Sequence, residues 1–151
     1  MSAVLEIAGL RLQLRVGDAL LPILRGVDLS IGRGEIHGLV GESGAGKSMI
    51  GRAVLGVQPS NAVVSAERLR YLDRDLLTLG GRERRRELAG KLTMIPQEPM
   101  TALNPVHTIG AQLAAVLRLH LGLGGGAARR RSVDLLERVK LRERFDPLLR
   151  R

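Results

Sequence analysis

The run "LEIAGLRLQLRV" (residues 5–16) mixes period-two alternation with short apolar clusters, and it predicts one or two short strands. Gly17-Asp18 marks a turn in "VGDALLPIL", with Pro22 beyond it. "GVDLSIGRGEIHGLVG" yields two further strand-like pieces, Val27–Ile31 and Glu35–Val40, separated by Gly32 and Gly34. The spacing then changes to that of a helix. In "KSMIGRAVLGV", Ile50, Val54 and Leu55 fall on one side, and Gly56 and Pro59 end the segment.

"AERLRYLDRDLLTL" (66–79) reads as a strand with a turn, although period alone does not separate it from a helix. "GRERRRELAG" predicts a short charged helix, and "KLTMIPQEP" a short strand ended by Pro96. Asn104-Pro105 marks a turn. Thr108 can then cap a helix with Ile109, Leu113, Val116 and Leu117 on one stripe, closed by Gly122. "GLGGGAA" reads as a flexible link, and a last helix carries Val133, Leu136 and Val139 on one face. The layout is α/β over the first two-thirds and helical at the end, without an internal repeat.

Composition narrows the classes. A chain of 151 residues with 44% hydrophobic content can bury a core of its own. Tyr71 and Phe145 are the only aromatics, so Leu, Val, Ile and Ala must build that core. Their scarcity also argues against base-stacking nucleic-acid modules, despite a net charge of +9 and a pI near 11.4. All but three of the 24 basic residues are Arg, scattered except for "RERRR" (82–86), "RRR" (129–131) and the last two positions, which reads as solvated Arg faces. There is no cysteine, and His37, His107 and His120 lack ligand spacing. No apolar run approaches the ~18–20 residues of a membrane span. The N-terminus has no positive leader, so a cytoplasmic setting is expected, with membrane contact made through a partner.

"GESGAGKS", Gly41–Ser48, matches G-x-x-x-x-G-K-[ST] at every fixed position. Glycines let the backbone adopt positive φ and bring N–H groups close to phosphate oxygens. The loop ends where a helix begins, so free amides and the helix dipole face the anion. Lys47 would reach the β- and γ-phosphates, and the Ser48 hydroxyl would ligate Mg²⁺. Glu42, Ser43 and Ala45, with Gly44, Gly46 and Met49, would contribute through the backbone. The apolar "EIHGLV" before the loop and the helix after it supply the expected context.

Loops of this type serve many protein classes, and "KLTMIPQEPMTALNPVHTIGAQL" (91–113) discriminates among them. It closely resembles the Q-loop region of ATP-binding cassette proteins, specifically the ATP-binding subunits of oligopeptide and dipeptide importers. The matching positions are Gln97, Glu98, Pro99, Met100, Thr101, Ala102, Leu103, Asn104, Pro105, Thr108, Ile109 and Gly110. "LRGVDLSIGRGEIHGLVGESGAGKS" is similar to the family's approach to its phosphate loop, and "RLHLGL…LLERVKL" to its helical subdomain.

The resemblance implies an α/β fold: the phosphate-loop core of an ATP-binding cassette domain, a mixed sheet with helices, followed by part of a helical subdomain. It places the core in residues 1–97 and the Q-loop with partial helical subdomain in 98–151. It implies ATP and Mg²⁺ as cofactors, with Gln97 as nucleotide sensor, Mg²⁺ ligand or water-positioning group. It also implies a second ATP-binding subunit and transmembrane permease subunits as partners, at the cytoplasmic face of the membrane. Pro96 stands where the family often has an aromatic.

Two larger departures stand out. The adenine-stacking aromatic is missing: its place falls near Leu14, and no aromatic lies between residues 1 and 70. Stacking contributes about 1–3 kcal/mol per base, so weaker nucleotide binding is expected. The Leu-Ser-Gly-Gly-Gln signature, the strand ending Asp-Glu and the switch His are not found in the 151 residues. "LGLGGGAARR" lacks the Ser and Gln and reads as a linker. The expectation is a truncated ATPase subunit that holds phosphates without the family's general base. The alternative is a nucleotide-binding or regulatory module that performs no hydrolysis. A phosphate-loop strand of this fold needs pairing on both edges, so a chain that is poorly soluble or only partly folded alone is expected.

Overall fold

The computed structural model describes residues 3–98 and 102–141. Two long strands, β1 (Ala3–Val16) and β2 (Ala19–Gly32), pair antiparallel, with Val16 opposite Ala19. Gly17 at φ 59° supplies the first residue of the two-residue turn between them. The expected short pieces are thus one continuous hairpin.

The uneven alternation in β1 has a physical cause. Ile7 faces Leu29 and Leu10 faces Val27, so β1 advances three residues while β2 advances two. The extra residue is taken up in a bulge at Gly9, with φ 59°. Its amide donates to Asp28 Oδ1 at 2.7 Å. The bulge shifts parity, so Ile7, Leu10 and Leu12 all point into the core. Strict alternation would have sent the last two to solvent.

The other edge of β1 is shared end to end by two short strands. β3 (Ala62–Ser65) pairs with Arg11–Leu14, and β4 (Arg68–Tyr71) with Leu5–Ala8. β5 (Arg74–Asp75) adds to β4 after a tight turn, the strand-and-turn expected over 66–79. Every pairing among these strands is antiparallel. On this sheet rests α1 (Lys47–Leu55), which buries Ile50, Ala53 and Val54 against Ile7, Leu10, Leu12, Leu24 and Leu69. The charged α2 (Gly81–Leu88) adds Leu88 to the same cluster.

Two expected strands do not form. Residues 35–40 and 92–95 carry no ladder, and Ile36, Val40 and Ile95 are 99%, 95% and 92% exposed. Propensity alone does not make a strand: without a partner edge its amides and carbonyls have only water to bond. Glu35 reinforces the departure from the sheet. Its carboxylate accepts from the Gly32 amide at 2.6 Å and lies 3.0 Å from His37 Nε2.

The chain divides into two compact units, Met1–Met94 and Ile95–Arg151. In the second, α3 (Ile109–Leu121) packs on α4 (Gly125–Arg138). Thr108 caps α3 as expected, its hydroxyl accepting from the Ala111 amide at 3.2 Å. Gly122 closes it at φ 64°. The buried positions differ from the expected stripes. Leu117 is buried in α3, but Val116 is 57% exposed. In α4, Leu136 is buried with Ala128 and Ser132, whereas Val139 lies at the helix end, exposed. The Gly-rich link is shorter than read: Gly125 to Ala128 already belong to α4, where Ala128 packs closely and outweighs the low helix propensity of glycine. Among the described residues no helix is long and apolar enough to cross a membrane.

Candidate functional site

Gly41–Ser48 joins a segment without regular structure to the start of α1. A turn closes within it, the Ala45 amide donating to Glu42 O at 3.2 Å. Gly44 and Gly46 hold φ of 84° and 89°, values that side chains strongly disfavour. Gly46 is the N-cap of α1 and offers no capping side chain. The first turn of α1 holds no acidic residue either. The positive end of the helix dipole therefore faces outward without an internal anion.

Packing fixes the loop against β2. A Cβ on Gly46 would stand 2.8 Å from Leu24 Cδ2 and 3.3 Å from the Ile23 carbonyl oxygen. Only glycine lets the backbone come this close. At the mouth, Lys47 Nζ donates to Gly41 O at 2.7 Å and Glu42 O at 2.6 Å. These bonds commit two of the ammonium's three donors and set its charge across the loop. Residues 41–45 and Ser48 are exposed, while Gly46, Lys47 and Met49 are half-buried. Open amides, the start of a helix and one ammonium thus lie together along the loop.

The structure therefore brings Gly41, Glu42, Ser43, Gly44, Ala45, Gly46, Lys47, Ser48 and Met49 into one short arc. The helix after the loop is present, but the strand expected before it is not. Gln97 is exposed in the second unit and follows a stretch without regular structure, not a strand. Pro99, Met100 and Thr101 of the same motif lie outside the described residues. Leu14, at the expected adenine position, is half-buried on β1 between Leu21 and Ala62. Among the described residues no group of three His, Asp or Glu side chains is placed to hold a metal ion. A cation here would depend on the Ser48 hydroxyl and on the anion itself.

Sequence reasoning missed Arg84. It is 9% exposed, although it sits in a short helix read as charged. Its Nη1 donates to Ala53 O at 3.1 Å, and its Nη2 to Leu76 O. The available signal was its i, i+4 spacing to the buried Leu88, which places both on the inner face of α2. Glu35 was missed as well. The Gly32 amide, and then His37, hold its carboxyl below the ordinary value of 4.5.

A glycine-rich loop that opens a helix on an α/β sheet, with a lysine closed over its mouth, defines the phosphate-loop class of nucleotide-binding folds. Residues 24–150 match the ABC transporter family. Over 149 residues the chain is 38% identical to the peptide transport system ATP-binding protein SapD of Escherichia coli O6:H1, covering 95% of this chain and 45% of that protein. SapD of Haemophilus influenzae is 34% identical over 149 residues, covering 95% and 43%. The dipeptide transport ATP-binding protein DppD of Escherichia coli strain K12 is 38% identical over 132 residues, covering 85% and 40%. The chain belongs to the ABC transporter family. It spans less than half the length of these relatives.

Proposed function

We propose that this chain is the phosphate-holding portion of an ATP-binding subunit that serves import of peptides or related small solutes. The observation that carries the reading is the arc Gly41–Ser48, with Lys47 bonded across its mouth and α1 pointing its positive end outward. The backbone of Gly41 to Met49 would wrap the phosphates, and Lys47 would exchange its carbonyl bonds for the outer phosphate oxygens. Ser48 would hold Mg²⁺ through its hydroxyl. The bound cation would supply charge neutralisation beside the phosphates. The family resemblance would make Gln97 a nucleotide sensor or a water-positioning group.

In this reading residues 1–97 carry the nucleotide core, and 98–151 the Q-loop and part of the helical subdomain. The partners would be a second ATP-binding subunit and membrane-embedded permease subunits, which would place the chain at the cytoplasmic face of the membrane. The names of the relatives support peptide cargo. Titration with a fluorescent ATP analogue and Mg²⁺ tests the reading. Saturable binding that is lost in Lys47→Ala is expected; binding indifferent to that change would sink it. Steady-state release of phosphate separates an ATPase subunit from a binding module without turnover.

A further inference from the structure

α1 has two ends, and only one of them is the phosphate loop. At the other, Gly56 takes φ 69°, its amide donates to Ala53 O, and the Val57 amide donates to Arg52 O. This is a Schellman closure. Arg84 adds to it from α2, with Nη1 on Ala53 O at 3.1 Å and Nη2 on Leu76 O. Gly56 leaves room for it: a Cβ there would meet Arg84 Cδ at 3.1 Å. Arg85 Nη1 reaches Gly56 O at 3.4 Å.

Burying a guanidinium is costly, and a Leu or Met of similar length would fill the space more cheaply. Burial indeed pulls the pKa of Arg84 down, and the Asp75 carboxylate partly restores it. Its Nε–H finds no acceptor among the described residues. What the guanidinium alone provides is a fork that grips carbonyls of α1 and of the bend after β5 at once, with its charge at the negative pole of α1.

We propose that Arg84 is a positioning residue for the phosphate loop, acting on it through α1. The helix is a stiff rod of nine residues, about 13 Å long. Fixing its far end fixes the direction of its first amides. The charge of Arg84 also opposes the carbonyl pole and strengthens the field that an anion meets at the loop. The inference rests on the phosphate-binding reading above.

The test compares Arg84→Met and Arg84→Lys with the unsubstituted chain. Amide hydrogen exchange is followed at residues 47–50 and, as reference, at Leu10 and Leu12 of β1. Arg84→Met is expected to speed exchange at the start of α1 while β1 stays protected, and to weaken the MgATP analogue about fivefold or more. Arg84→Lys, which keeps the charge but not the fork, is expected to lie between. Unchanged loop exchange and unchanged affinity in Arg84→Met would overturn the proposal. So would exchange rising equally in β1 and α1, the mark of a merely structural role. If Arg84→Met does not fold, Arg84→Lys decides by the same two readouts. Failure of the unsubstituted chain to bind nucleotide would sink the phosphate-binding reading instead, and the exchange pattern would still judge Arg84.

Discussion

Gly44→Ala and Gly46→Ala place the same methyl group in the same loop, and the structure predicts unequal costs. Both positions hold strongly positive φ, 84° and 89°. Left-handed backbone costs an L residue about 1–2 kcal/mol. Replacing glycine recovers about 0.4–1 kcal/mol from the unfolded chain. At Gly44 nothing lies within 4 Å of the new Cβ, so the net loss is about 0.5–1 kcal/mol. At Gly46 the methyl meets Leu24 Cδ2 at 2.8 Å and the Ile23 carbonyl at 3.3 Å. Leu24 is only 4% exposed and cannot swing into solvent. Forcing its side chain off its rotamer adds about 0.5–1.5 kcal/mol. Gly46→Ala should therefore be less stable than Gly44→Ala by about 1 kcal/mol. Urea unfolding followed by far-ultraviolet circular dichroism in dilute solution measures the difference. Equal midpoints, or a less stable Gly44→Ala, would refute the claim that β2 packs against the loop.

Two further outcomes follow from the residues before the loop. Replacing Ile36 and Val40 together by Lys should suppress self-association at rising protein concentration, because both side chains stand in solvent on unpaired backbone. Sedimentation that remains unchanged would show that these positions do not drive it. Glu35 should titrate below 4.5, because the Gly32 amide and then His37 favour its charged form. What this carboxylate contributes to stability is present above the unfolded value and fades as pH falls through its own lowered pKa. A carboxyl NMR titration with its midpoint at or above 4.5 would contradict this.

Local pattern was legible where local contacts decide the structure. The Gly17-Asp18 turn, the caps Thr108 and Gly122 and the buried side of α1 at Ile50 and Val54 follow from side-chain chemistry a few residues away. The glycine turn at 44–46 and the helix that follows it were legible because positive φ and a helix start are local demands. Three features were not. The bulge at Gly9 changes which residues face inward, and its geometry depends on β2 across the ladder. Residues 35–40 have strand composition, yet a strand is a property of two chains of backbone and not of one. Arg84 shares a face of α2 with Leu88, but only the carbonyls of Ala53 and Leu76 show what a guanidinium bonds there.

The shared edge of β1 has a consequence for the order in which the chain assembles. Its contacts with β2 close across two residues, whereas those with β3 and β4 wait for residues 62–71. In chain order the hairpin precedes β3 and β4, and until they arrive the second edge of β1 is vacant. Everything from Arg33 to Asn61, including the loop and α1, is then an excursion that leaves the ladder and returns to it. Loop closure entropy grows only logarithmically with length, so this excursion can lengthen at small thermodynamic cost while the ladder it returns to stays the same.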